Sequence, residues 1–444
     1  MDGKSQNALT EVSVVLGISI RAVKQPYCCE NLFLVVIYII GAFFNYKKDY
    51  FKKKGRYVII GGGVILLIAI LLTPNLSIYK DIRNSLNDIA KLRLSRVVDL
   101  KNLHATTTTK GKLYFVVIGE SLCRSYLGLY GYEHETTPKL RKIFKNCNSC
   151  YFIPNAYSGE KLTEYALAYA LTQANQYNNL SFNKSYSLID ILNKAGFDTI
   201  WISNQNILGS EKSSYNSIAL TSNRHIFINP GKSSSIDERP LDENVIPLVK
   251  HLKINKNRNT VIFIHTFGSH APYRYRYDSL SKIYKTASND PNSLNDYLNS
   301  VVYFDNFLTK LINISRKMHA NSFIYFSDHG ELPGVGRDQL DISMFKIPVF
   351  FLFNEQNEFS KQIQEKIDKK IPFTNDLIFD TLLGLFRINT SVYDSRYDFT
   401  SPDYILRDNN MLVKSGEYNI LDGKLVRKPA VLHTEVVYYP TPDS

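Results

Sequence analysis

The stretch KLYFVVIGES, residues 112–121, is apolar from Leu113 to Ile118 and then stops at Gly-Glu-Ser. An unbroken apolar run of this length reads as a strand covered on both faces, not one with a wet side. Four more runs share the pattern: FDTIWIS (197–203), TVIFIHT (260–266), NSFIYFS (321–327) and IPVFFLF (347–353). Segments with helical spacing lie around them, at 137–146, 163–175, 185–195, 293–318 and 374–386. Buried strands alternating with helices predict an α/β domain, an α/β/α sandwich around a mostly parallel central sheet.

In such sheets ligands bind beyond the carboxyl ends of the strands. The residues that follow each run therefore matter. The first run delivers Glu120 and Ser121, and the second Asn204 and Gln205. The third delivers His265 and then GSHAP with His270, and the fourth delivers SDHGE with Asp328 and His329. Carboxylates and imidazoles gathered at one rim point to a shared site, and Glu120, Asp328 and His329 suit a divalent ion. Zinc fits this donor set, with manganese as the alternative. Two hydroxyls compete as nucleophile. Ser121 adjoins Glu120, but a G-x-S-x-G elbow needs glycine where Cys123 stands. Thr163, in SGEKLTEYALAYALT (158–172), opens a helical pattern. It can hold an anion at a helix N-terminus or serve as a plain N-cap.

The chain has 444 residues and a net charge of +12, an excess that favours an anionic partner, nucleic acid or lipid, without choosing between them. Five cysteines are too few for a disulfide scaffold. Cys147 and Cys150, in CNSC, form either a local disulfide or two free thiols, with the disulfide favoured. Two apolar runs, 32–44 and 57–73, predict transmembrane helices over about residues 30–46 and 57–73. The basic loop NYKKDYFKKKGR between them belongs on the cytoplasmic side. The domain organisation expected is thus a membrane region over 1–74, an amphipathic connector over 75–110 ending in ATTTTKGK, and a catalytic domain outside the cytoplasm over 111–444.

The ordered motifs VVIGESLCRSYLGLYGYEHETTPKL (116–140), LTEYALAYALT (162–172), IWISNQ (200–205), HTFGSHAPYRYRY (265–277) and YFSDHGE (325–331) resemble the bacterial phosphoethanolamine transferases of the alkaline phosphatase/sulfatase superfamily. The likeness is strongest to those that modify lipopolysaccharide. It implies an inner-membrane enzyme with a periplasmic catalytic domain and zinc held by Glu120, Thr163, Asp328 and His329. It also implies that Thr163 is the nucleophile, taking phosphoethanolamine from phosphatidylethanolamine and passing it to lipid A or a core sugar. His270, Lys184 and Asn204 fall at or near substrate-binding positions. No nucleic-acid partner is expected. A phosphoglycerol transferase, a sulfatase- or phosphatase-like hydrolase, or an inactive membrane-anchored binding homologue are the alternatives on the same scaffold. The sequence departs from the family pattern twice. Only two membrane helices are evident where about five are usual. The second departure is a missing histidine after DHGE, where Asp338 and Asp341 are the acidic residues present.

Overall fold

A computed structural model describes residues 98–207, 214–229, 239–286, 289–335, 339–407 and 411–428. The two expected transmembrane helices, the first part of the connector and Asp338 lie outside the described residues. No helix among the described residues is long and apolar enough to cross a membrane. The last part of the connector, 98–110, is described and is not helical. Thr106–Thr107 pairs antiparallel with Ile388–Asn389, and Thr109 accepts hydrogen bonds from Asn259. ATTTTKGK is therefore docked against the domain, because its threonines find partners there.

The five expected strands all form. Together with two more they build one sheet from β1 (Leu113–Gly119), β2 (Cys150–Phe152), β3 (Asp198–Asn206), β4 (Arg224–Asn229), β5 (Thr260–His265), β6 (Ser322–Ser327) and β7 (Val349–Phe353). The order is β2-β7-β6-β1-β5-β3-β4. The pairs from β6 to β4 are parallel, but β7 runs antiparallel to both β6 and β2. The sheet is thus mixed at one edge. Between β6 and β7 the described chain forms only the short 3-10 turn Ile342–Met344. A parallel neighbour needs a long crossover, usually a helix, and an antiparallel one does not.

Helices cover both faces. They are α1 (Pro138–Lys145), α2 (Thr163–Ala170), α3 (Leu188–Lys194), α4 (Ser214–Ala219), α5 (Val245–Lys250), α6 (Leu294–Lys317), α7 (Glu358–Asp368) and α8 (Ile378–Leu385). One face of the sheet, with Val116, Ile118, Trp201, Phe263, Phe326 and Phe351, shares a core with Leu167 of α2, Ile191 of α3 and Leu382 of α8. The other face, with Phe115, Val117, Ile262, Ile264 and Tyr325, packs with Leu140 of α1, Val249 of α5 and Phe307 of α6. Every residue of β1 is buried, as an unbroken apolar run requires. Of the two states open to CNSC, the structure has the Cys147–Cys150 disulfide.

Two buried aspartates on these elements give stability tests. Thr137 precedes α1 but makes no capping bond. Its hydroxyl instead accepts from Leu129 N–H. Asp305 of α6 takes over, accepting from the backbone N–H groups of Lys139 and Leu140 at 3.0 and 2.8 Å. Removing a cap of this kind costs about 1–2 kcal/mol, so Asp305→Ala should lower the free energy of unfolding, read from chemical denaturation, by that amount. Asp380 in α8 is pushed up to about 8, chiefly by burial and then by Asp394 and Asp398. Its pKa is about 3.9 in the unfolded chain, so only the folded state holds the proton near neutral pH. Its contribution is complete in acid and is lost as pH rises through about 8. Stability should fall by about 1 kcal/mol between pH 7 and 9, and Asp380→Asn should flatten that dependence in thermal melts.

Candidate active site

The register of the parallel strands sets the rim. Ile118 pairs with His265, Gly119 with Ser327 and Ser203 with His265. Glu120, Asp328 and Gln205 therefore emerge side by side. Thr163 opens α2, in the helix layer on the same face as Ile118 and Phe326.

Glu120, Asp328 and His329 are buried, and each offers a ligand atom within 4.8 Å of the others. His329 Nδ1 lies 2.7 Å from the carbonyl of Gly330. A carbonyl only accepts, so Nδ1 carries the hydrogen, and Nε2 of the neutral ring presents a lone pair. That Nε2 is 3.5 Å from Glu120 Oε1 and 3.4 Å from Asp328 Oδ2. Asp328 Oδ1 accepts from Ser121 N–H at 3.0 Å and His329 N–H at 2.7 Å. Asp328 Oδ2 has no hydrogen-bond partner among the described residues. The Nε2 lone pair and the two carboxylates thus converge in a buried space, which is the arrangement a cation completes. Burial pushes the Asp328 carboxyl up, and the neighbouring Glu120 charge adds to that.

The Thr163 hydroxyl lies 3.2 and 3.1 Å from the two Glu120 oxygens and 3.3 Å from His329 Nε2. Leu162, not Thr163, occupies the N-cap position of α2, and no side chain caps this helix. The plain N-cap alternative is therefore set aside. Ser121 is fully buried and its hydroxyl sits 2.7 Å from Glu120 Oε1, whereas Thr163 is only half-buried. Ser121 also has φ +56°, a left-handed conformation uncommon outside glycine. Of the two hydroxyls, Thr163 is the less buried.

Supporting contacts hold this geometry. Ser158 donates to the carbonyl of Asp328 at 2.6 Å, and Asn375 Nδ2 donates to the same oxygen at 2.6 Å. Asn375 Oδ1 accepts from Gly159 N–H. The segment before Thr163 and the loop of Asp328 are thus tied through Ser158 and Asn375. A C-terminal three-stranded sheet, β8 (Leu412–Val413), β9 (Tyr418–Leu421) and β10 (Lys424–Arg427), adds a second tie. Its first turn donates Ser415 N–H and Oγ to Glu160.

The remaining expected residues divide. His270 lies on a loop held against the site: Ser269 N–H donates to the carbonyl of Glu120 at 3.0 Å. A Cβ on Gly268, with φ +51°, would lie 2.6 Å from that carbonyl, so only glycine fits there. The His270 ring lies tilted against Phe267, with Nδ1 2.6 Å from the carbonyl of Ala271. Lys184 is exposed, and its ammonium has no ion pair among the described residues. Asn204 is fully buried and donates to Pro240 and Asp242, away from the cluster. Its neighbour Gln205 is the amide that reaches Glu120 Oε2, at 3.0 Å, while also donating to Thr266. The pleat gives the reason. Trp201, Ser203 and Gln205 share a parity that puts them on the face of Ile118, and Asn204 shares that of Ile202. Counting by two along IWISNQ would have chosen Gln205. Asp341, an acidic residue after DHGE, caps the 3-10 turn through Ser343 N–H and is not in the cluster. His265 closes the third strand of the expected rim. It is buried between Trp201 and Tyr215, and burial pushes its imidazole down to about 4.

The sulfatase family model matches residues 112–388. The chain is 26% identical over 349 residues to the phosphoethanolamine transferase EptC of Escherichia coli (strain K12), covering 73% of this chain and 60% of that protein. It is 25% identical over 319 residues to the Kdo(2)-lipid A phosphoethanolamine 7''-transferase of the same strain, covering 66% of this chain and 53% of that one. The chain therefore spans little more than half the length of these relatives. Among solved structures, the C-terminal periplasmic domain of E. coli EptC in complex with Zn superposes with a TM-score of 0.62 at 22% identity. That match covers 73% of this chain and 95% of the domain.

Proposed function

The chain belongs to the sulfatase family, and on that premise we propose that it transfers phosphoethanolamine from phosphatidylethanolamine to lipopolysaccharide, on lipid A or a core sugar. The observation that carries this reading is the half-buried Thr163 hydroxyl within 3.3 Å of both Glu120 and His329. The names of the relatives supply the transferred group. Thr163 Oγ forms the new bond to phosphorus as the bond to the diacylglycerol oxygen breaks. Diacylglycerol leaves with a proton, and the group is held as a phospho-threonine. An acceptor oxygen then forms its own bond to phosphorus as the Thr163 Oγ–phosphorus bond breaks, and the acceptor's proton returns to Thr163 Oγ, a double displacement.

The unpaired Asp328 Oδ2, the outward lone pair of His329 Nε2 and the Glu120 carboxylate fit a zinc ion, with Thr163 as the fourth group. Zinc bound there lowers the hydroxyl pKa and stabilises charge on the phosphoryl oxygens. Gln205 and Ser121 orient Glu120, and Asn375 and Ser158 hold the Asp328 loop. The proposed setting is the bacterial inner membrane with this domain in the periplasm, where the Cys147–Cys150 disulfide suits the redox conditions.

The test is mass spectrometry of lipopolysaccharide from cells with and without the protein. The expected result is a gain of one phosphoethanolamine unit on lipid A or core. No gain, together with diacylglycerol release from phosphatidylglycerol but not from phosphatidylethanolamine, would replace the reading with phosphoglycerol transfer. Release of free phosphoethanolamine alone would replace it with hydrolysis.

A further inference from the structure

Leu280 and Ile283 are 86% and 64% exposed, more than any other large hydrophobic residue among those described. They stand in SLSKIYK, residues 279–285, where Lys282 and Lys285 are exposed as well. Their exposure is built. Asp278 accepts from Ser281 N–H at 2.9 Å, and Asn306 donates to Ser281 Oγ. Asn299, fully buried in α6, accepts from the N–H groups of Ile283 and Tyr284 at 2.9 and 2.8 Å and donates to the carbonyl of Tyr284. The loop is thus pinned by its backbone to a long helix while its two aliphatic side chains face solvent.

The same part of α6 touches the rim of the active site. Tyr297 donates to the carbonyl of Ser121 at 3.0 Å, and Ser300 donates to Ser269 Oγ at 2.9 Å. The loop also follows directly from the His270 segment. Beside the proposed nucleophile, Leu162 and Tyr165 are exposed too. Aliphatic tips interleaved with lysines are the pattern of a segment that rests in the headgroup region of a bilayer. The apolar tips enter the acyl boundary and the ammonium groups meet anionic phosphates. A protein partner fits less well, because lysine is depleted in protein interfaces and two side chains offer no core for one.

We infer that residues 279–285 form a membrane-docking loop that rests on an anionic phospholipid surface and holds the Thr163 site at the lipid from which its donor is drawn. The site's use of a lipid donor rests on the function proposed above; the contact with the bilayer does not.

The test uses the full chain reconstituted in vesicles of phosphatidylethanolamine and phosphatidylglycerol. The protein has one tryptophan, Trp201, which is fully buried and serves as an internal reference. In Ile283→Trp, lipids brominated near the headgroup should quench the introduced indole at least twofold and leave Trp201 unquenched. The same quenching should persist with Thr163→Ala added, so it reads docking even if the transfer chemistry is different. In the wild-type background, Leu280→Ser with Ile283→Ser should raise KM for donor in vesicles roughly tenfold and leave kcat unchanged. It should leave turnover of a short-chain, water-soluble donor unaffected. An indole at position 283 quenched by aqueous acrylamide and not by brominated lipid would overturn the inference. So would burial of that indole that depends on protein concentration in detergent, which would make the loop a protein interface.

Discussion

Thr163→Ala is expected to lower phosphoethanolamine transfer by about a thousandfold or more, the scale of losing the nucleophile of a covalent mechanism. The competing hydroxyl, Ser121, gives the contrast. Its side chain is buried and bonded to Glu120, so Ser121→Ala should remove one hydrogen bond to that carboxylate. The cost there is about 1 kcal/mol, roughly a fivefold drop. Thr163→Ser keeps an oxygen at the same place and should retain measurable transfer. The measurement is diacylglycerol release from a fluorescent donor, with mass spectrometry of a digest of the wild type to catch the added phosphoethanolamine on the Thr163 peptide. An active Thr163→Ala with an inactive Ser121→Ala would move the nucleophile to Ser121. Bound metal should be assayed in both variants, since Glu120, Asp328 and His329 remain in each.

The sheet and the charged rim were legible because they rest on local signals. Five short apolar runs bounded by polar residues read as strands covered on both faces, and four of them end where a polar residue of the rim emerges. The direction of β7 was not legible, since an apolar run has no polarity. Among the described residues between 327 and 349 there is only a short 3-10 turn and no crossover helix, and that is what reveals it. Asn204 and Gln205 are adjacent amides in one motif, and only the parity of the pleat separates the one that turns to Asp242 from the one that reaches Glu120. The bracing by Ser158 and Asn375 joins residues 217 apart in sequence, and no local pattern records such a contact. The same holds for the C-terminal turn on Glu160, and for the docked strand at Thr106–Thr107 that composition presented as a linker. The choice between Thr163 and Ser121 needed burial, which separates a half-buried hydroxyl from a fully buried one.

Removing metal from the purified protein should abolish transfer, and zinc should restore it. The expectation follows from what each donor already does. Asp328 Oδ1 is saturated by two backbone N–H groups, so its orientation is fixed and Oδ2 alone faces inward. His329 is fixed by its bond to the Gly330 carbonyl. Neither donor must reorganise to bind, and leaving them without a cation keeps two carboxylates and a lone pair together in a buried site. Asp328→Asn removes the charge and keeps the shape, so it should weaken zinc binding by more than about a hundredfold, beyond the range for outer-shell partners. Asn375→Ala removes the support behind Asp328 and leaves all ligands in place; it should weaken zinc by about tenfold. Titration calorimetry measures both. Saturating zinc stabilises the fold by RT ln(1 + [L]/Kd), so the hundredfold loss should also appear as about 2.7 kcal/mol less zinc-dependent protection in chemical unfolding at the same concentration. Equal affinities for wild type and Asp328→Asn would mean that the three acceptors do not hold the ion. A large loss in Asp328→Asn with a small one in Asn375→Ala would instead separate the ligand from its brace, as the geometry requires.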